Sequence, residues 1–371
     1  MRRRLIIMLL TILIVFLSGC YDRMDLEDAT LTLMIGLDVD DKDNLIVYMS
    51  SPVFSKEAKE KSEEFAVKTK TLRQSRSRFD SMVTALTVAG KVQVILLGKR
   101  LLQHPDWFSL LDVMFRDAKF TVNASVVAID GKLSEVFTFH PKDKPRLSLH
   151  LTKLIDTAHE RNITVKTSVQ ELHRQMYEKG MTPSLTLMKK EKQMEIKGTA
   201  LLTEKGTYAT MVRLKENVLL ELVQRGVKGE MSLTIPIREK EKKQGLVKPR
   251  LSFFVKKAST KIKPTYDGNR FHFDVKMKIN VAISERLFSF DVKNEHKRLE
   301  KIISDEMKKE IESLLKKCQK HKVDPVGFGI YARAYQYEAY KQVENDWTKA
   351  FSQADIKVSV ETIIKGNGIV K

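Results

Sequence analysis

Apolar positions along this chain change their spacing repeatedly, and each change predicts an element. Residues 5–17 are apolar apart from Thr11 and follow three arginines, Arg2, Arg3 and Arg4. Thirteen residues of helix reach roughly 20 Å, short of the ~30 Å hydrocarbon core of a bilayer. The run therefore reads as the apolar core of a signal peptide, with the arginines on the cytoplasmic side. Downstream, 31–38 and 45–51 predict two strands around the turn-rich Asp40-Asp41-Lys42-Asp43-Asn44. The polar stretch 56–78 predicts a loop leading into a helix, and Phe79, Met82, Val83 and Leu86 have helical spacing over 79–88. An α/β unit continues with a strand at 91–98, a helix from His104 that carries Trp107, Leu110, Leu111, Met114 and Phe115, and a strand at 120–129. Helices are expected at 147–161 and 168–179. The second opens on Ser168-Val169-Gln170-Glu171, a capping box, and is expected to stop at Gly180 in a left-handed cap. Pro183 marks an exit, so a boundary is expected within 183–192.

The second half changes character. A hairpin is expected from 194–202 and 207–213 around Glu204-Lys205-Gly206, then a short helix over 214–224 closed by Gly226. A strand at 231–237 precedes a charged loop at 238–248, and further strands are expected at 251–255 and 259–264. Over 271–285 the alternation is strict. Phe271, Phe273, Val275, Met277, Ile279, Val281 and Ile283 fall on one parity, while His272, Asp274, Lys276, Lys278 and Asn280 fall on the other. This predicts a long strand with one buried and one wet face. Helices at 295–320 and 330–351 are separated by Asp324-Pro325-Val326-Gly327-Phe328-Gly329. In a last strand, Ile356, Val358, Val360 and Ile364 alternate with Lys357, Ser359 and Glu361.

The predicted fold class is α+β (mixed α/β): a multi-domain ectodomain of antiparallel or mixed sheets and packed helices after a cleaved signal peptide. The expected division is a signal peptide at 1–19, an N-terminal α/β domain at 20–185 and a C-terminal α+β domain at 192–371. The last of these divides further at 192–265 and 266–371.

The signal-like run ends on Leu17-Ser18-Gly19-Cys20. This resembles the lipobox of bacterial lipoproteins: an aliphatic residue, two small residues and the modified cysteine. The Cys20 thiol is the nucleophile that takes a diacylglyceryl group, and small side chains at Ser18 and Gly19 fit a narrow peptidase cleft. Cleavage by signal peptidase II is expected between Gly19 and Cys20, leaving an S-diacylglycerol, N-acylated cysteine at the new N-terminus. Such a chain is held on the outer face of a membrane.

Charge fits that setting. The formal net charge is +19, and loss of three arginines and no acid with residues 1–19 brings it to +16. The excess is scattered, with local runs at 238–248, 256–263 and 295–322 and no aromatic interleaving of the nucleic-acid kind. Attraction to anionic lipid is the plainer reading, and no nucleic-acid partner is expected. Only Cys20 and Cys318 are present, so a lipidated Cys20 leaves no intramolecular disulfide.

Catalytic motifs are absent. There is no G-x-S-x-G elbow, no G-x-x-x-x-G-K-[ST] loop and no H-E-x-x-H helix. No two of the eight histidines stand at i, i+3 or i, i+4, so no metal or cofactor is expected. Asp38, Asp40, Asp41 and Asp43 lack the glycine and glutamate of a calcium loop and read as a solvated hairpin tip. Gly327-Phe328-Gly329 reads as a turn between helices rather than a phosphate loop. Cys318, on the apolar stripe of its helix, reads as buried and inert, and the aromatic stripe of 331–347 reads as core.

Three segments together resemble the Ger(x)C family, the lipoprotein C subunits of the nutrient germinant receptors of spore-forming bacteria. The first is Gly19-Cys20-Tyr21-Asp22-Arg23 with Leu33-Met34-Ile35-Gly36-Leu37-Asp38, where Tyr21 replaces the family's usual tryptophan. The second is Lys197-Gly198-Thr199-Ala200 with the Lys205-Gly206 turn and the helix near 216–226, without the family's usual lysine-leucine-valine-glycine run after the turn. The third is Asp324-Pro325-Val326-Gly327-Phe328-Gly329 with Asn345-Asp346-Trp347 and the final strand. The resemblance implies a non-enzymatic lipoprotein of the spore inner membrane that works with two integral membrane partners, the A and B subunits. Only Cys20 carries over as a functional position. The alternative is a lipid-anchored solute-binding protein of an envelope transporter, which would show two similar α/β lobes.

Overall fold

The structure is a computed structural model that describes residues 2–4, 29–54, 58–83, 85–224, 226, 229–237, 248–291 and 294–366. Two sheets organise it. In the larger, four parallel strands form the centre: β2 (Met34–Val39), β6 (Val94–Gly98), β7 (Ser125–Ile129) and β8 (Ser184–Lys190). Antiparallel pairs flank them, β3 (Leu45–Pro52) with β4 (Ser62–Lys68) beyond β2, and β9 (Met194–Leu202) with β10 (Tyr208–Arg213) beyond β8. A separate two-strand ladder joins β1 (Ala29–Leu31) in parallel to β5 (Leu86–Val88).

Helices cover both faces of this sheet, which is why β2, β6 and β7 are buried at every position and β6 reads as an unbroken apolar run. On one face Leu37, Ile95, Leu97, Val126 and Leu187 meet Leu72 and Phe79 of α1 (Leu72–Asp80), Met114 of α2 (Asp112–Arg116) and Val169 and Leu172 of α5 (Val169–Tyr177). On the other, Met34, Leu96, Val127 and Ile129 meet α3 (Leu133–Phe137) and α4 (Leu147–Glu160).

The smaller sheet has the order β11 (Met231–Pro236), β12 (Arg250–Tyr266), β13 (Phe271–Arg286), β14 (Asp355–Gly366). Only β13–β14 is parallel. One face is buried under α7 (His296–Lys320), whose Leu299, Ile303, Met307, Ile311 and Leu314 form an apolar stripe. Three short helices close the end of that core: α8 (Phe328–Tyr335), α9 (Tyr337–Val343) and α10 (Trp347–Gln353). Between the two sheets runs α6 (Leu214–Gln224), buried at every position over 217–223, as expected of a helix packed on opposite sides. This is the expected α+β class.

Several expectations shift. The helix expected over 79–88 lies earlier, at α1, because Thr71 caps it by accepting from the Gln74 N–H at 3.1 Å. Met82 and Leu86 are exposed, and 86–88 pairs with β1 instead. The polar stretch before it holds the edge strand β4, whose wet side disguised it as loop. The helix expected from His104 is divided between a 3-10 turn (Trp107–Leu111) and α2, and the strand expected at 120–129 starts only at Ser125. Strands 251–255 and 259–264 are one strand, β12, carried past a bulge near 255–257. The helix expected over 330–351 is three, broken where Gln336 (φ −138°) and Asp346 (φ −129°) leave helical geometry. Those breaks turn Trp347 onto Phe271 and Phe273, with Tyr340 and Phe351 packed on Trp347 in turn; the Trp347 and Phe271 ring centroids are 5.4 Å apart. β8 is hydrogen-bonded to β9 within the larger sheet.

Candidate functional site

Cys20 lies outside the described residues, as do Leu17, Ser18 and Gly19 of the same motif. The first described strand of the body, β1, starts nine residues after Cys20. Nine residues span at most about 30 Å. β1 is held by its ladder with β5, by the Thr30 hydroxyl donating to the Ala85 carbonyl at 3.2 Å and by the Thr32 N–H donating to the Val88 carbonyl at 2.9 Å. No helix among the described residues is long and apolar enough to cross a membrane.

The larger sheet reverses its winding between β2 and β6. Strands added after β2 run outward on one side through β3, and from β6 they run outward on the other. Open α/β sheets bind ligands at such a point, beyond the carboxyl ends of the strands. A cleft of about 410 Å³ lies there, lined by Asp38, Asp40, Tyr48, Lys99, Arg100 and Asp130 among others. Asp38 is its buried member. Its Oδ1 accepts from the Val39 N–H at 2.9 Å, and the Leu133 N–H also reaches it. Burial lifts its carboxyl above the ordinary range against these bonds and the nearby Arg100 charge. Gly98 is required opposite it, since a Cβ there would meet Asp38 Oδ1 at 2.2 Å.

Two of the cleft's cations, Lys99 and Arg100, are engaged. Arg100 donates to the Val39 carbonyl at 2.9 Å and to Asp41 at 2.8 Å, and Lys99 donates to Asp130 at 3.0 Å. Asp40 is held well below the ordinary carboxylate range, first by the Lys68 ammonium at 2.8 Å and then by the Asn44 N–H. Asp38, Tyr48 and Asp130 leave a polar wall able to accept hydrogen bonds from a small cationic or hydroxylated group. The expected solvated tip fits Asp40–Asn44, where Asp43 is left-handed (φ 59°). Asp38, one step back, lies in the cleft wall, which alternation alone could not distinguish from the tip.

The segment Asp324-Pro325-Val326-Gly327-Phe328-Gly329 is the turn expected between helices, and it also joins the two sheets. Asp324 is fully buried. Its carboxylate accepts from the N–H groups of Gly327 (2.8 Å) and Gly329 (3.0 Å) and from Trp347 Nε1 (2.9 Å). Burial pushes its carboxyl up to about 6 against those three donors. Its backbone N–H donates to the Thr182 hydroxyl and its carbonyl accepts from the Thr182 N–H, both at 2.9 Å. Beside this, Arg333 forms a fork to both Glu178 oxygens at 2.8 and 2.9 Å.

Glycine is required on both sides of the joint. A Cβ on Gly329 would meet the Gly180 backbone at 2.7 Å, and one on Gly180 would meet the Ile330 nitrogen at 2.8 Å. Gly180 therefore serves close approach, not the left-handed helix cap expected of it; α5 ends earlier, on an extended Glu178.

Cys318 is buried on α7, where desolvation pushes its thiol up to about 12. No group of three His, Cys, Asp or Glu side chains able to hold a metal ion occurs among the described residues. The sequence reading passed over the joint between Asp324, Trp347 and Thr182. The lysines of 256–263, Lys276, Lys278 and Lys357 were legible as a basic run and as wet-face positions, but not that β12, β13 and β14 set them side by side on one face.

Two family models match consecutive parts of the chain. Residues 22–190 match the spore germination protein N-terminal domain, and residues 197–368 match the spore germination B3/GerAC-like C-terminal family. Spore germination protein B3 of Bacillus subtilis (strain 168) is 24% identical over 95% of this chain and 95% of its own length. Spore germination protein KC of the same organism is 21% identical over 99% of this chain and 97% of its own. A crystal structure of the GerBC protein shares the fold with a TM-score of 0.56 at 18% identity, covering 89% of this chain and 96% of that one. Matched in order through both halves, the chain belongs to the Ger(x)C family of spore germination proteins.

Proposed function

We propose that this chain is a lipid-anchored, non-enzymatic subunit of a membrane germinant receptor complex that acts in nutrient-triggered spore germination. One observation carries the reading. A lipobox cysteine, Cys20, stands nine residues before the first strand of a body similar over nearly its whole length to two spore germination proteins. Lipid on Cys20 holds that body within about 30 Å of the outer face of the spore inner membrane. Its partners are two integral membrane proteins, the A and B subunits. The buried thiol of Cys318 and the engaged side chains of the cleft support a binding role over a catalytic one. The two sheets differ in strand order and burial, unlike the paired lobes of an importer's binding protein.

Cys20→Ala is expected to release the protein from the membrane fraction of spores and to abolish or strongly slow the response to nutrient. Membrane retention at the wild-type level in that variant overturns the anchor. Tagged wild-type protein, purified from detergent-treated spore membranes, is expected to bring two multi-span proteins with it.

A further inference from the structure

The wet face of the smaller sheet is covered with lysine. Along β12 the outward positions hold Lys257, Ser259, Lys261 and Lys263; along β13 they hold Asp274, Lys276, Lys278 and Asn280; along β14 they hold Lys357, Ser359, Glu361 and Lys365. Register sets these in rows. Lys261 stands directly opposite Lys276, whose other neighbour is Ser359, so this row holds two ammonium groups and no acid. Ser259, Lys278 and Glu361 form the next row, and Lys263, Asp274 and Lys357 another. Among the described residues two of these lysines have an ion pair: Lys276 with Asp274 at 3.2 Å and Lys278 with Glu361 at 2.8 Å. Lys257, Lys261, Lys263 and Lys357 make no ion pair among the described residues.

Like charges directly opposite on a sheet repel. Packing in the core does not require them, because α7 and its core lie on the other face. The middle rows form a shallow hollow of about 400 Å³ in which Lys261, Lys276 and Lys278 stand beside the hydroxyls of Ser259 and Ser359, with Glu361, the partner of Lys278, at its edge. Three ammonium groups against one carboxylate, with the Ser259 hydroxyl beside them, are the chemistry that receives phosphate oxygens.

We propose that this lysine face docks on the anionic phospholipid surface of the membrane that anchors the chain. The occupant is a lipid headgroup layer, and it follows from charge complementarity and geometry. The face is open and basic, and lipid on Cys20 would hold the whole chain at the bilayer, so a weak electrostatic contact would act at high effective concentration. Acyl chains and a basic patch are the two signals that together give stable attachment. The proposal builds on the lipid-anchored reading, but its test does not use the lipid.

The mature chain from position 20, with Cys20→Ala so that nothing is attached, is sedimented with vesicles of phosphatidylcholine alone or mixed with phosphatidylglycerol. Binding is expected only with phosphatidylglycerol, and it is expected to disappear at high salt. The pair Lys261→Glu and Lys276→Glu is expected to weaken binding at least tenfold, since each lysine near an anionic surface is worth about fivefold. The pair Lys309→Glu and Lys316→Glu makes the same charge change on α7 and is expected to leave most of the binding in place. Thermal unfolding of both double variants is expected to match the parent chain. No binding to phosphatidylglycerol vesicles, equal binding to phosphatidylcholine, or equal loss in the α7 pair overturns the proposal. Binding to an acidic protein or a nucleic acid without binding to vesicles also overturns it. Failure of Cys20 to be lipidated leaves this result untouched.

Discussion

The two sheets solve burial in different ways. In the larger, β6 and β7 are buried at every position because helices cover both faces. In the smaller, β13 alternates strictly, with Phe273, Val275, Met277 and Ile279 packed on α7 and Lys276 and Lys278 in water. A doubly covered sheet has no free face to offer, so its exposed chemistry lies beyond its strand ends, at the cleft around Asp38. A singly covered sheet keeps a whole face for another surface. The joint at Asp324 makes one body of the two.

Breaking that joint has the largest expected effect. Asp324→Ala leaves two backbone N–H groups and Trp347 Nε1 buried without their acceptor, and is expected to cost about 3–5 kcal/mol. A urea titration followed by tryptophan fluorescence measures it, with Trp107 reporting from the larger sheet and Trp347 from the smaller. The cost also depends on pH. The carboxyl sits at about 6 in the fold, above its ordinary 3.8, so the folded state binds the proton more tightly than the unfolded chain does. Its contribution is therefore complete below about pH 4 and lost as pH rises through about 6. The gap between wild type and Asp324→Ala is expected to narrow by about 3 kcal/mol over that window. A gap independent of pH would show that Asp324 is already ionised in the fold at pH 4.

A scan of adjacent residues tests the contrast itself. Leu96→Ala and Leu97→Ala, on opposite faces of β6, are each expected to cost about 2–5 kcal/mol. On β13, Met277→Ala is expected to cost a similar amount, while its neighbour Lys278→Ala changes stability by less than about 0.5 kcal/mol. Equal costs at 277 and 278 would mean that the wet face is covered in the isolated protein.

The same contrast governs what the sequence could reveal. Alternation over 271–285 identified β13 and its wet face, because one-sided burial writes a period of two into the chain. Apolar runs gave β2, β6 and β7 of the larger sheet but neither their order nor their neighbours, since both faces read alike, and central strand β8 went unread because Ser184, Thr186, Lys189 and Lys190 interrupt its apolar positions. Edge strand β4 was missed because an edge tolerates a polar composition. Gly180 was assigned to a helix cap because its true requirement, contact with Gly329, joins residues far apart in the chain. Local spacing holds no record of such a meeting. The Asp38 cleft was hidden for the same reason, since its walls come from the ends of three strands.

A smaller effect is expected at the rim of the joint. Arg333→Ala removes a forked, partly exposed ion pair with Glu178 and is expected to cost about 1 kcal/mol. Glu178→Ala should cost a similar amount, and the double variant little more than either. Strict additivity in that double-mutant cycle would show that the fork contributes nothing to holding the sheets together.

The smallest expected effect has the opposite sign. Lys261 faces Lys276 across the ladder and makes no ion pair among the described residues. Repulsion between opposed like charges is unfavourable by a few tenths of a kcal/mol, and threonine fits an exposed strand better than lysine. Lys261→Thr is therefore expected to stabilise the isolated protein by about 0.5 kcal/mol, seen as a higher unfolding midpoint at low salt. The gain should shrink as salt screens the pair. A residue that weakens the fold where it stands, yet costs nothing to replace structurally, is what a surface shaped for an anionic partner contains. A lower midpoint for Lys261→Thr would mean that the lysine stem itself packs on the sheet, and the wet face would then be structural after all.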